Sequence, residues 1–106
     1  MILDDISIER AILKLKAAKG DYVIAITEIV TPTARKYSYY LLHQGQVIIG
    51  LDNSPHRKAL QMKYGNSYVS YLNEVVPHEH SQSKKSLKLT GEKFFRDFVE
   101  IFKEYL

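Results

Sequence analysis

The chain contains no cysteine. That excludes a disulfide framework, a zinc–thiolate centre and a catalytic thiol. It contains no tryptophan, three prolines and five glycines, too few of the last two for a low-complexity or fibrous chain. No apolar run approaches the roughly 20 residues that a membrane-spanning helix needs. Met1 to Arg10 carries acids early and lacks the basic-then-apolar order of a signal peptide. These absences lead to the expectation of a cytoplasmic protein with no membrane partner.

What remains is an ordinary globular composition, 45% hydrophobic and 25% charged over 106 residues, which predicts one domain spanning residues 1–106. Eight tyrosines and four phenylalanines supply the bulk. The net charge of +3 is uneven. Residues 1–53 hold six Lys/Arg and six Asp/Glu, and residues 54–106 hold nine and six. The basic excess therefore lies in the second half, which would attract a polyanion such as RNA. A merely solvated basic face explains the charge equally well.

Along the chain, Ile8, Ala11, Ile12 and Leu15 fall at helical spacing behind Asp5 or Ser7, with Gly20 as a stop. This predicts a helix from Ser7 to Ala18. Tyr22 to Val30 is β-branched and reads as a strand. A second strand, Arg35 to Leu42, puts Tyr37, Tyr39 and Leu41 on one face and Lys36, Ser38, Tyr40 and Leu42 on the other. His43-Gln44-Gly45-Gln46 reads as a hairpin loop. Val47 to Leu51 is a third strand. Lys58 to Lys63 is a helical turn or a loop, and Ser67 to Tyr71 alternates like a strand. Ser81 to Ser86 is polar and reads as a mobile loop. Behind Thr90 as cap, Phe94, Phe95, Phe98, Val99, Ile101, Phe102 and Tyr105 predict an amphipathic helix from Gly91 to Glu104. The expected fold is α+β: an antiparallel sheet of three to five strands, with an N-terminal and a C-terminal helix covering one face in two layers.

Two polar runs stand out against this scaffold. Asp52-Asn53-Ser54-Pro55-His56-Arg57 and Pro77-His78-Glu79-His80 hold three of the four histidines. Each follows an apolar run, and each has a proline directly before a histidine, which pins the backbone. Histidine exchanges a proton near neutral pH. Two histidines flanking a phosphodiester can serve as base and acid while a nearby cation holds the developing charge. His56, His78 and His80 are the candidate proton carriers. Asp52 would orient an imidazole or build the turn. Arg57, Lys58, Lys84 and Lys85 would contact phosphate. If the attacking group is the RNA 2′-hydroxyl, neither metal nor cofactor is required. An alternative use of the same residues is zinc or nickel binding by His78 and His80 with His56 or Asp52, since extended His-x-His places both rings on one face. A plain turn sequence accounts for Asp-Asn-Ser-Pro as well, and His43 reads as structural.

Asp52-Asn53-x-Pro55-His56 after a tyrosine-rich hairpin, then Pro77-His78-x-His80 and an amphipathic C-terminal helix, resembles the TumE-type toxins of toxin–antitoxin pairs. The likeness runs from about Tyr37 to the end. The family pattern carries two adjacent histidines after the first proline and His-His-Lys-His after the second. Here Arg57 replaces one histidine and Glu79-His80 replaces part of the second run. The resemblance implies a small cytoplasmic toxin acting on RNA, restrained by an antitoxin protein; with the histidines as proton carriers the expected action is RNA cleavage, and RNA binding is the alternative. The competing expectations are a non-enzymatic binding module able to form a homodimer, with tyrosines 37, 39, 40, 68 and 71 on its sheet, and a metal-dependent hydrolase.

Overall fold

A computed structural model of the chain describes residues 10–81 and 84–105. Six strands form one antiparallel sheet in sequence order: β1 Ala11–Lys19, β2 Tyr22–Val30, β3 Arg35–His43, β4 Gln46–Asp52, β5 His78–Ser81 and β6 Ser86–Leu89. Helix α1, Arg57–Tyr64, and a 3₁₀ segment, Gly65–Tyr71, lie between β4 and β5. Helix α2, Phe95–Phe102, follows β6. No described helix is long and apolar enough to cross a membrane.

Residues 11–18 correct the expectation of an N-terminal helix. They form β1, paired with β2 from Ala11↔Val30 to Lys19↔Tyr22; residues 7–9 of the expected helix lie outside the described residues. The apolar set is ambiguous by itself, because Leu13, Leu15 and Ala17 alternate as well as Ile12 and Leu15 fit a helical turn. The two-residue connection decides it. Gly20 takes φ +60, the place of glycine in a type II′ hairpin turn. The residue read as a helix stop is a strand reversal. The sheet accordingly has six strands rather than three to five.

Ser67 to Tyr71 is likewise not a strand but part of the 3₁₀ segment. Its Tyr71 stacks on Tyr64 of α1 with ring centroids 3.8 Å apart. Helix α2 starts at Phe95, not Gly91. The Phe94 N–H donates to Asp97 Oδ2 at 2.7 Å, the back-reaching half of a capping box. Thr90 caps nothing; its hydroxyl donates to the Gly91 carbonyl.

The two helices lie on opposite faces of the sheet rather than together on one. Cross-strand partners in an antiparallel sheet point the same way, and sequence neighbours point opposite ways. Tyr39 pairs with Ile26 and Leu51. With Tyr37, Leu41 and Ile49 these residues enclose Phe98 of α2 in the main core. Burying a side chain such as Phe98 contributes about 1.5–3 kcal/mol. On the other face His78 and His80 pair with Leu89 and Leu87 of β6. Those leucines pack against Ala59 and Leu60 of α1 together with Val76.

The entry to α2 is tied to the first face by Arg35. Its guanidinium bonds Glu28, the Tyr39 hydroxyl and the Lys93 carbonyl, and it lies over the rings of Tyr37 and Phe94. The Tyr39 hydroxyl in turn donates to Glu28. Tyr37 and Tyr39 are thereby core residues, 3% and 0% exposed, and offer nothing to a partner.

Candidate active site: three histidines between β4, β5 and α1

Asn53 explains why the first polar run sits where it does. It is 3% exposed. Its Oδ1 accepts the Tyr37 N–H at 2.9 Å and its Nδ2 donates to the Arg35 carbonyl at 2.8 Å. The side chain thus continues the β3–β4 ladder after the backbone has turned away. The Asn53 carbonyl also accepts the Val76 N–H at 3.0 Å, which aligns the approach to β5. Asp52 Oδ1 accepts the Ser54 N–H at 2.7 Å and the Ser54 hydroxyl, a local Asx turn. Pro55 follows, and the chain enters α1.

His56 is the N-cap of that helix. Its Nδ1 accepts the Ala59 N–H at 3.2 Å, satisfying one of the orphan donors of the first turn. An accepting Nδ1 carries a lone pair, so in the neutral ring the proton is on Nε2. His78 is arranged the other way. Its Nδ1 lies 2.6 Å from the Val76 carbonyl, which can only accept, so the proton is on Nδ1 and Nε2 has the free lone pair.

The three imidazoles converge. Ring centroids are 5.0 Å apart for His56–His78, 5.3 Å for His56–His80 and 4.8 Å for His78–His80. One nitrogen from each falls within 4.8 Å of the others. His78 is 1% exposed, His80 is 6% exposed and His56 is half-buried. His80 Nδ1 is buried with no hydrogen-bond partner. Burial lowers the His56 pKa, helped by His78, Lys58 and Lys84 and opposed by Asp52. Burial, with His78, His56 and Lys84, takes His80 down to about 4. Both rings are therefore neutral at neutral pH.

A row of residues across the sheet supports His80. Tyr40, Gly50 and His80 are cross-strand neighbours on β3, β4 and β5. A Cβ on Gly50 would stand 2.2 Å from Tyr40 Cε1, so the glycine makes room for the phenol ring. That ring reaches over to stack on His80, with centroids 6.2 Å apart and planes 24° apart. Its hydroxyl donates to Asp52 Oδ2 at 3.1 Å. Burial first, and the Asp52 charge second, push the Tyr40 pKa upward, so the phenol stays a donor. Lys84 Nζ lies 5.3 Å from the same ring centroid.

The structure thus brings together His56, His78, His80, Asp52 and Lys84. Asp52 hydrogen-bonds Ser54 and Tyr40 and acts on the histidines through its charge, so its role is the turn and not the orientation of an imidazole. Lys58 is exposed in the first turn of α1 and acts on His56 through charge. Arg57 and Lys85 are exposed, and neither is drawn into the cluster by an ion pair among the described residues. Tyr40 and Gly50 belong to the site although the two motifs do not contain them. A lone glycine inside an apolar strand was the signal for a close approach.

Among the described residues the three histidines are also the group able to hold a metal ion. Zinc–nitrogen bonds of about 2.0–2.1 Å in a tetrahedron set ligand nitrogens about 3.4 Å apart. His78 fits such a role well, since its Nδ1–H is held by a carbonyl. His56 fits it poorly, because ligation through Nε2 would move its proton to Nδ1 and face that donor with the Ala59 N–H. A separate pocket of about 420 Å³, lined by Lys19, Gly20, Asp21, Tyr22, His43 and Tyr105, contains none of the three. There the His43 ring rests on Tyr22, centroids 4.5 Å apart.

No protein-family model, no curated protein and no solved structure matches this chain.

Proposed function

We propose that the chain is a toxin-like ribonuclease that cleaves RNA at the three-histidine cluster without a metal; its resemblance to TumE-type toxins supports RNA as the target. The observation that carries this reading is the pairing of opposite proton assignments: a free lone pair on His78 Nε2 and an N–H on His56 Nε2, on rings 5.0 Å apart. His78 accepts the proton of the attacking 2′-hydroxyl at Nε2. The 2′-oxygen–phosphorus bond forms and the phosphorus–5′-oxygen bond breaks. The protonated form of His80, a minor species at neutral pH that grows as the pH falls toward about 4, gives its proton to the leaving 5′-oxygen, so the cluster's charge is unchanged over the step. His56, kept neutral by its cap and its lowered pKa, donates an Nε2–H hydrogen bond to the phosphoryl oxygen, a use of neutral imidazole as electrophile. Lys84 adds positive charge beside the site.

Substrate reaches the cluster across His56, the one ring of the three with substantial exposure. An antitoxin protein is the expected partner and the cytoplasm the expected compartment. The test is cleavage of a labelled single-stranded RNA by the wild-type chain and by His78→Gln. A loss of about 10²–10⁴-fold is expected for removal of a general base. Equal cleavage by both proteins removes the mechanism.

The near-complete burial of His78 and His80 favours a second reading, a metal-dependent hydrolase with these two rings as ligands. Activity lost in EDTA and restored by Zn²⁺ or Ni²⁺ would select it.

A further inference from the structure

Strand register puts a set of lysines on the same face as the histidines. His78 and His80 pair with Asp52 and Gly50, which pair with Ser38 and Tyr40. These continue through Thr27 and Ala25 on β2 to Lys14 and Lys16 on β1. Lys36 is two residues before Ser38 and pairs with Ile29 and, beyond it, Ile12. The face therefore carries Lys14, Lys16 and Lys36 from its outer strands inward, and Asp52 is its one acid on the paired strands. All three lysines are exposed, and none makes an ion pair among the described residues. Helix α1 packs over β6, and α2 lies on the opposite face, so no described element covers β1 to β3 here. A shallow groove of about 170 Å³ runs along this surface between Thr27, Ile29, Lys36, Ser38 and Ser54. Of the three lysines it is lined by Lys36, and its Ser54 stands two residues before His56 in the chain.

We infer that this open face binds the phosphates of a single-stranded RNA and guides the strand to His56. The inference rests on the proposed ribonuclease reading and names its substrate as single-stranded. Three lysines on β1 and β3 against the single Asp52 give the face a net positive charge that attracts a polyanion. From β1 to β5 is four strand spacings of about 4.8 Å, about 19 Å, enough for several nucleotides. The reactive rings lie largely beneath the surface, so the backbone must bend toward them. A flexible single strand does this, whereas a stiff duplex holds its phosphates outside.

Binding is measured by fluorescence anisotropy with a fluorescein-labelled 12-mer whose riboses are 2′-O-methylated, which bars cleavage. Lys14→Ala/Lys16→Ala/Lys36→Ala is compared with the wild type and with a triple variant of Lys88, Lys93 and Lys103. Loss of three phosphate contacts lowers the slope of log affinity against log salt by about 2 for single strands and weakens binding about tenfold or more at moderate salt. The control triple leaves both unchanged, and all three proteins show the same melting temperature. An unchanged slope in the Lys14/Lys16/Lys36 variant overturns the inference, as does a duplex of the same sequence bound as tightly. Because the probe cannot be cleaved, tight lysine-dependent binding stands even if the cleavage mechanism fails, and the two outcomes are read separately.

Discussion

The rings of His56 and His78 stand 5.0 Å apart with their protons on opposite nitrogens. His56 Nδ1 is committed to the Ala59 N–H and His78 Nδ1 to the Val76 carbonyl. Each ring is thus left with a different kind of Nε2. The helix cap and the strand entry decide which is donor and which acceptor.

His56 has two separable jobs, and two substitutions divide them. His56→Ala removes the cap and costs about 1 kcal/mol. His56→Asn restores a capping oxygen and returns stability to within about 0.5 kcal/mol of the wild type. Both variants lose RNA cleavage, because neither offers the Nε2–H. Denaturant melts and cleavage rates on the two variants check this. Cleavage rescued by Asn would mean that His56 matters only as a cap.

Stability depends on pH through the depressed imidazoles. Below the usual value of 6.5 the unfolded chain binds protons that folded His80 refuses until about pH 4. Stability therefore falls as the pH drops through that window and is level above it. The shift corresponds to about 3–4 kcal/mol at most, with His56 adding in the same direction. Denaturant midpoints from pH 7.5 to 4 in the presence of EDTA should show this loss, and His80→Gln should flatten the curve.

The same titration acts on rate. Acid transfer from His80 requires its protonated form, a minor species at neutral pH whose share grows as the pH falls toward about 4. Cleavage per folded molecule should rise as the pH is lowered from 7.5 toward 5.5. A rate–pH profile that falls toward acid over this range would assign the acid to another group.

Gly50→Ala places a Cβ against three atoms of the Tyr40 ring, at 2.2 to 2.8 Å. The ring must leave its stack on His80 and its bond to Asp52. Overpacking of this kind costs about 1–3 kcal/mol, visible as a lower denaturant midpoint. Gly50→Ala/Tyr40→Ala should recover part of the loss by removing the clash.

Asn53→Ala leaves the buried Tyr37 N–H without its acceptor and the Arg35 carbonyl without its donor. A loss of about 1–3 kcal/mol per unsatisfied group is expected. Asn53→Asp keeps the first bond but turns a buried carboxylate oxygen toward the Arg35 carbonyl, so its melt should fall at or below that of Ala.

Much of the sheet was legible because β2, β3 and β4 carry their own evidence: β-branched runs, alternating Tyr37/Tyr39/Leu41, and glycine at the β3–β4 turn. Gln44 and Gly45 both take positive φ there, as a type I′ turn requires. β1 was misread because Ile12, Leu13 and Leu15 satisfy two periods at once, and only its pairing with β2 chooses between them. Ser67 to Tyr71 failed for a similar reason. Its alternation was real, but Tyr68 and Tyr71 pack onto α1 and its neighbours instead of a strand. At the site, the clustering of His56, His78 and His80 followed from two proline-pinned turns at adjacent strand ends. The part played by Tyr40 and Gly50 needed the register, since nothing local shows that residues 40, 50 and 80 share a row. The cap formed by His56 was hidden because histidine is an uncommon N-cap.

The central claim is metal-free transfer of the phosphoryl group to the 2′-oxygen. The most direct measurement is mass spectrometry of the fragments formed from a defined single-stranded RNA at pH 6 in EDTA. Fragments ending in a 2′,3′-cyclic phosphate, absent with His78→Gln, are the predicted result. Intact RNA in EDTA, with cleavage to linear phosphate ends only after Zn²⁺ or Ni²⁺ is added, would contradict the account and make the three histidines a metal centre.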